Sequence, residues 1–372
     1  MRFILDSSSI TCLPECLEEK FGIDDESRPI KLSNHFIYFD YLPKILPKPD
    51  HLALICIIVW FPYLKYSTRV EFPKPVSNKL KKVMKMHNLT QNINIEKQKT
   101  TSTSKSKIPI KLGLAFGGGL DSWATYLLQS DIYEKVVHER DVNPTFNLLN
   151  IKANIKPNDE IDKKLMIITT NQCSISKIIK NKENAGWTSW VGVLVTSIWI
   201  SAEFGFTHIA TGGNIGSTFL NNGIRYHPTH LYPSKWYLTF ELLNLPIYTP
   251  LAGLTDLAVK KIIGSDKISN LKYCWYPTKD GDNCHKCDKC LRKEILLGRC
   301  KDLKDIKFDG PTNKYLVTKN KDMEQWIDKY YQPALKLIKN SELKENLINS
   351  LKSANIFLLN TELEYKIEHW GY

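Results

Sequence analysis

Between Phe116 and Ser122 the chain reads Phe-Gly-Gly-Gly-Leu-Asp-Ser, a run in which nearly every residue can serve a bound anion. Lys111 to Phe116 before it is a short apolar stretch that reads as a buried strand, and Trp123 to Leu128 after it reads as an apolar helix. A strand that ends in glycines and opens a helix aims free backbone N–H groups at one point, where the helix dipole adds positive potential. Glycine lets the backbone approach the anion with no Cβ in the way. Ser122 can donate its hydroxyl to a phosphate oxygen, and Asp121 can hold the Mg²⁺ that a polyphosphate carries. The candidate phosphate site is therefore Phe116, Gly117, Gly118, Gly119, Leu120, Asp121 and Ser122, with Asp121 and Ser122 as its catalytic pair. The spacing lacks the Lys-Ser/Thr end of a Walker loop and the spaced glycines of a dinucleotide fingerprint. A tight turn without a ligand is the competing reading of a glycine run.

The second chemical signal is Cys274, Cys284, Cys287 and Cys290, spaced C-x9-C-x2-C-x2-C. Four thiolates in two tight turns suit a closed tetrahedral Zn²⁺ site, which leaves no position for water and is structural rather than catalytic. An iron–sulfur cluster takes the same ligand set, and a chance grouping of thiols is the plain alternative. Lys286, Lys289, Arg292 and Lys293 would offset the thiolate charge. Cys12 and Cys16 are only two and cannot fill a zinc site.

Three blocks must position these groups. Residues 1–95 are expected to form an N-terminal accessory domain, rich in short apolar and aromatic runs such as His35 to Phe39. Its longest run, Leu52 to Leu64, is half a membrane span interrupted by Pro62, and is read as a buried strand. Residues 96–107, EKQKTTSTSKSK from Glu96, form a polar linker expected to be cut readily, leaving two independently folded parts. In residues 108–300 further strands are expected at Thr145 to Leu149, Leu165 to Thr169 and His208 to Thr211, with a helical stretch from Trp190 to Phe204. Strands alternating with helices imply an α/β fold with a parallel sheet. Residues 301–372 carry helical patterns at Met323 to Ile338 and Leu343 to Phe357, a C-terminal appendage.

Composition bounds the partners. The chain of 372 residues is 42% hydrophobic and 24% charged, which suits a globular protein with a large core. Its net charge of +12 invites a nucleic-acid reading, but only seven of the basic residues are arginine, the residue best shaped for phosphate and base edges. Nucleic acid is thus not the favoured partner. No secretory signal opens the chain, so the nine cysteines are expected to be thiols or ligands and the protein cytoplasmic.

Phe116 to Ser122 resembles the SGGxDS signature of PP-loop ATP pyrophosphatases, with Gly117 where that family has serine. Followed downstream by the four-cysteine set, it is similar to the 7-cyano-7-deazaguanine synthase (QueC) family over about residues 108–300. Ile209 to Asn214 resembles that family's strand and TGxN loop, Ile247 to Thr255 its TPLxxLTK stretch with Asp256 for the lysine, and Cys284 to Arg292 its CGKCxxCxxR ending. The resemblance implies a doubly wound sheet of HUP type that binds ATP at the carboxyl ends of its strands, adding Thr211, Gly212 and Asn214 to the nucleotide site. It implies an ATP-dependent carbon–nitrogen ligase using ATP, Mg²⁺ and Zn²⁺. Such an enzyme adenylates a deazaguanine-type carboxylate and carries it to an amide or nitrile. Ile215 to Thr218 and the loop from Arg225 to Tyr232, with His227 and His230 as acid–base candidates or plain loop residues, depart from the family where substrate would sit. Some QueC-like proteins belong to antiviral operons, and residues 1–95 would suit a protein partner; a homodimer is left open. The alternatives are a tRNA-modifying PP-loop enzyme and a non-catalytic partner protein in which Gly117 marks a degenerate loop.

Overall fold

The computed structural model describes residues 1–13, 21–23, 29–67, 69–89, 92–93, 109–128, 130–142, 161–182, 184–213, 220–221, 224–225 and 235–251, with positions 259, 262–264, 271 and 283. The chain opens with β1 (Arg2–Asp6), β2 (Ser9–Leu13), β3 (Phe21–Ile23), β4 (Pro29–Leu32) and β5 (Phe36–Tyr38). Strands β1, β2 and β5 pair antiparallel, with Phe3 opposite Cys12 and Ile10 opposite Ile37 turned into the core. The expected strand around Phe36 is thus present.

Leu52 to Leu64 is not a strand. It lies in α1 (Pro49–Leu64), whose residues from Leu52 to Trp60 are all buried. The reason is length and surroundings. Thirteen apolar residues outrun an ordinary strand, Pro49 sits in the first turn where its missing N–H is harmless, and a helix enclosed on all sides shows no amphipathic period. Pro62 inside the last turn removes a helical hydrogen bond, and Trp60 leaves helical geometry at φ −109° and ψ 15°. No described helix is long and apolar enough to cross a membrane. After α1 come β6 (Arg69–Val70), α2 (Asn78–Met86) and β7 (Asn92–Ile93).

The central sheet is parallel and five-stranded, made of β8 (Leu112–Ala115), β9 (Tyr133–Asp141), β10 (Leu165–Thr170), β12 (His208–Thr211) and β15 (Ile247–Tyr248). Its order is β10-β9-β8-β12-β15, so the chain steps outward to one side of β8 and then to the other. α3 (Leu120–Leu128) follows β8, and Tyr126 stacks on Tyr133 at 6.3 Å while the Tyr133 hydroxyl donates to the Thr125 carbonyl at 3.1 Å. α4 (Ile161–Lys164) leads into β10, β11 (Ser176–Ile178) follows it, and α5 (Val195–Ile200) continues a 3-10 turn over Trp190–Leu194. The expected helical stretch from Trp190 thus takes this form. β13 (Leu220–Asn221) and β14 (Ile224–Arg225) form a small hairpin, and α6 (Lys235–Leu242) precedes β15. Thr145 to Leu149 and residues 301–372 lie outside the described residues.

The described residues of the N-terminal block pack directly against the parallel-sheet block. A single core runs from Met1 and Phe3 through α1 to α5 and on to Ala115, Val137, Ile168 and Ile209 of the parallel sheet. β4 pairs antiparallel with β11, Phe39 stacks on Trp199 at 4.3 Å, and the Trp199 indole donates to the Tyr41 carbonyl. The apolar runs of the first block have too little sheet of their own to cover them, so they are buried against the second. The linker, residues 96–107, lies outside the described residues.

Candidate active site at the carboxyl edge of the sheet

The strand order reverses between β8 and β12, and in an open parallel sheet this is where loops diverge and leave a crevice. The glycine run leaves β8 on one side of that point, and Gly212 and Gly213 leave β12 on the other. Phe116 is buried and its N–H donates to the Val137 carbonyl at 2.8 Å, which fixes the run's first residue. Gly118 has φ +70°, a conformation that side chains resist. The first helical bond of α3 is Trp123 N–H to the Gly119 carbonyl at 3.0 Å, so the N–H groups of Leu120, Asp121 and Ser122 precede it. The Ser122 hydroxyl donates to the Gly119 carbonyl at 3.3 Å, and the Thr125 hydroxyl to the Asp121 carbonyl at 2.8 Å.

The two loops touch. A Cβ on Gly212 would stand 2.7 Å from the carbonyl carbon of Asp121, 2.8 Å from the Ser122 nitrogen and 3.0 Å from the Asp121 oxygen. Gly212 is glycine because the backbone of α3's first turn lies against it. A Cβ on Gly119, by contrast, meets none of the described residues within 4 Å, so among them that side of the loop is open.

Behind the glycine run, His138 and Glu139 leave β9 on opposite faces of the sheet. His138 is 5% exposed, and its Nδ1–H donates to the Phe116 carbonyl at 2.8 Å. Burial, with the charge of Arg140, lowers its pKa to about 4, so the ring is neutral and serves as a fixed brace for the end of β8. The Glu139 carboxyl is pushed up to about 8 by burial, against the opposing pull of donors from Thr170 at 3.0 Å and the Trp187 indole at 3.4 Å. Both donors reach Oε1, and Oε2 is buried with no hydrogen-bond partner among the described residues. Asp141 accepts the Cys173 N–H at 3.1 Å, and burial followed by these carboxylates raises the Cys173 thiol, which makes it a poor nucleophile.

The N-terminal block walls this edge. Phe39 bridges Thr170, the Asp40 N–H donates to the Thr169 carbonyl at 3.0 Å, and the Thr169 N–H returns to the Asp40 carboxylate at 2.6 Å. One residue on, Asn171 accepts from the Tyr38 N–H and donates to the Phe36 carbonyl, each at 3.0 Å.

Phe116, Gly117, Gly118, Gly119, Leu120, Asp121, Ser122, Thr211 and Gly212 thus gather around one junction. Asn214, His227, His230 and the ligand set Cys274, Cys284, Cys287 and Cys290 lie outside the described residues. Among the described residues no three His, Cys, Asp or Glu side chains come together to hold a metal. His138, Glu139, Thr170, Gln172 and Trp187 escaped the sequence reading. Their signal was a polar residue just past an apolar stretch, which in a parallel sheet marks the edge that carries ligands.

Residues 235–304 match a family of unknown function (DUF6395). That span takes in α6, β15 and all four clustered cysteines. No curated protein matches the chain.

Proposed function

We propose that the chain is an AMP-forming, ATP-dependent carbon–nitrogen ligase of the PP-loop, HUP-type class, similar to the QueC family. The observation that carries this reading is the contact of Gly212 with the first turn of α3 at the switch point of the sheet. Two glycine-bearing loops meeting there, one of them opening a nine-residue helix, make a cradle for a polyphosphate that a Cβ would spoil. The N–H groups around Gly118, Gly119 and Leu120 would hold the phosphates, and Asp121 would hold Mg²⁺, which supplies charge neutralisation when bound. The Ser122 bond to Gly119 is long enough for a phosphate oxygen to replace it. The substrate is a carboxylic acid of deazaguanine type. Carboxylate is a poor electrophile, and AMP is a good leaving group, so adenylation prepares it for ammonia and an amide or nitrile product. The four clustered cysteines would hold a structural Zn²⁺.

Gly117 supports a second reading, a protein that keeps the fold but turns over no ATP. A Cβ there would stand 3.8 Å from the Ser122 oxygen, so the loop has room for the serine it lacks. Incubation with ATP, Mg²⁺, 7-carboxy-7-deazaguanine and ammonia separates the two. AMP and pyrophosphate should form, and Asp121→Ala should lower turnover by orders of magnitude. ADP as product, or full activity in Asp121→Ala, would overturn the ligase reading, and absence of ATP binding would favour the non-catalytic one.

A further inference from the structure

The outer face of α2 carries charge that the fold does not require. Its sequence, Asn-Lys-Leu-Lys-Lys-Val-Met-Lys-Met, turns Leu80, Val83 and Met84 into the core and leaves Lys79, Lys81, Lys82 and Lys85 exposed. Among the described residues none of the four lysines is in an ion pair, and Lys79 donates only to the neutral side chain of Asn244, at 3.0 Å. Lys79 with Lys82, Lys82 with Lys85 and Lys81 with Lys85 stand three or four residues apart, where like charges on a helix repel. The first turn holds no acidic residue, so Lys79 also faces the positive end of the helix dipole. Asp50 accepts from the N–H and hydroxyl of the cap residue Ser77, at 2.8 and 2.5 Å, rather than from a lysine. Helix stability thus gives no reason for this row of charges.

α6 continues the face. α2 ends in His87, whose ring lies 4.5 Å from Trp236 and whose Nε2–H donates to the Thr239 hydroxyl at 2.8 Å. The proton of that hydroxyl goes to the Lys235 carbonyl at 2.7 Å, which fixes the direction of the histidine bond. Lys235 is exposed at the start of α6. Burial lowers the His87 pKa to about 4, and the nearby charge of Lys235 adds to it.

The chemistry of the face narrows its partner. α2 has no arginine to fork onto a base edge and no aromatic ring on which an unpaired base could stack. It exposes no apolar side chain to enter a lipid surface. What remains is a row of point charges on a rigid element, the complement of a regular phosphate backbone. We propose that the outer face of α2, continued by Lys235, docks the sugar–phosphate backbone of a nucleic-acid duplex without reading its sequence. The scarcity of arginine, which counts against base recognition, is no obstacle here, because phosphate asks only for positive charge. The surface stands apart from the ligase reading and depends on none of its residues.

Fluorescence anisotropy of the full chain with a labelled DNA duplex of about 20 base pairs tests this, between about 50 and 200 mM salt. Two duplexes of unrelated sequence should bind alike, with log affinity falling against log salt by about 0.9 for each lysine engaged. Changing Lys79, Lys81, Lys82 and Lys85 together to Gln should flatten that slope by roughly 3 to 4 and weaken binding by about 100-fold or more. The thermal midpoint of this variant should stay level or rise, which separates lost binding from lost folding. Lys111, Lys163, Lys180 and Lys182, exposed elsewhere, remove the same net charge when changed to Gln and should leave affinity within about twofold. Equal weakening by the two variants would reduce the effect to net charge and overturn the inference. No duplex binding at about 50 mM salt, or tighter binding of a single strand or of phosphatidylserine vesicles, overturns it as well. AMP formation by a chain that binds no duplex removes this inference and leaves the ligase reading.

Discussion

Replacing Gly212 by alanine puts the junction of the two loops to a quantitative test. The added methyl would meet the Asp121 carbonyl carbon at 2.7 Å and the Ser122 nitrogen at 2.8 Å, and both are backbone atoms that no rotamer change can move. Ordinary contact begins near 3.4 Å, so β12's loop and the start of α3 must part by about 0.7 Å. Forcing an extra methyl into a packed site costs roughly 1–3 kcal/mol. The same displacement moves the N–H groups off the phosphate, and misplacement on the order of 1 Å costs about 100-fold in rate. Gly212→Ala should therefore lose about 1–3 kcal/mol in urea unfolding and 10- to 100-fold in AMP formation. Gly119→Ala is the control for stability, since its Cβ meets none of the described residues within 4 Å: the fold should be untouched while the new methyl intrudes on the bound anion. Wild-type stability and activity in Gly212→Ala would refute the contact. Equal destabilisation by both variants would refute the assignment of the open side.

The purified protein is expected to hold about one zinc per chain by elemental analysis, and Cys287→Ser to lose it; full metal content in that variant would refute the ligand set. A chain starting at residue 108 would lose the partner of β11 and the cover over α5, and is expected to lack a cooperative thermal transition; a stable, soluble fragment would refute the shared core. His138, lowered to about 4, contributes stability that is complete above its ordinary pKa of 6.5 and is lost as pH falls toward 4, because the unfolded chain then takes up the proton first. Glu139 acts in the opposite sense: its folded pKa of about 8 exceeds the ordinary 4.5, so the fold is penalised increasingly as pH climbs through that interval. Glu139→Gln should raise the thermal midpoint at pH 8 and converge with wild type near pH 5, and a variant less stable at pH 8 would refute the burial of that carboxyl.

The strands legible in the sequence share a simple trait. β8, β10 and β12 are short runs rich in apolar and β-branched residues, bounded by polar or glycine positions, and buried strands of parallel sheets read that way. β9, with the sequence Tyr-Glu-Lys-Val-Val-His-Glu-Arg-Asp, hid because it carries charge at five of nine positions. Only Val136, Val137 and the neutral His138 anchor its middle, and its far end belongs to the site rather than to the core. α1 hid for the reverse reason. Enclosed by the N-terminal sheets and α5, it has no wet face, and periodicity exists only where a helix has one. The phosphate loop was legible because its chemistry is local, seven residues in a row. The buried environment of Glu139 was not, since Thr170 and Trp187 reach its carboxyl only after β10 and the segment that follows it are laid beside β9.

The pairing of β4 with β11 also sets a timetable for the ribosome. Lys31 waits for Lys177, so the partner strand emerges roughly 145 residues later. At about 5–20 residues per second, that is a delay of roughly 7 to 30 s. Throughout it the nascent chain carries the open edge of β4 and the greasy sides of α1, with Trp199 still unmade. Asp40 likewise has no Thr169 to clasp. The N-terminal block of this protein can therefore be translated long before it can be finished, and slow synthesis lengthens the period in which neighbouring nascent chains can pair with it instead.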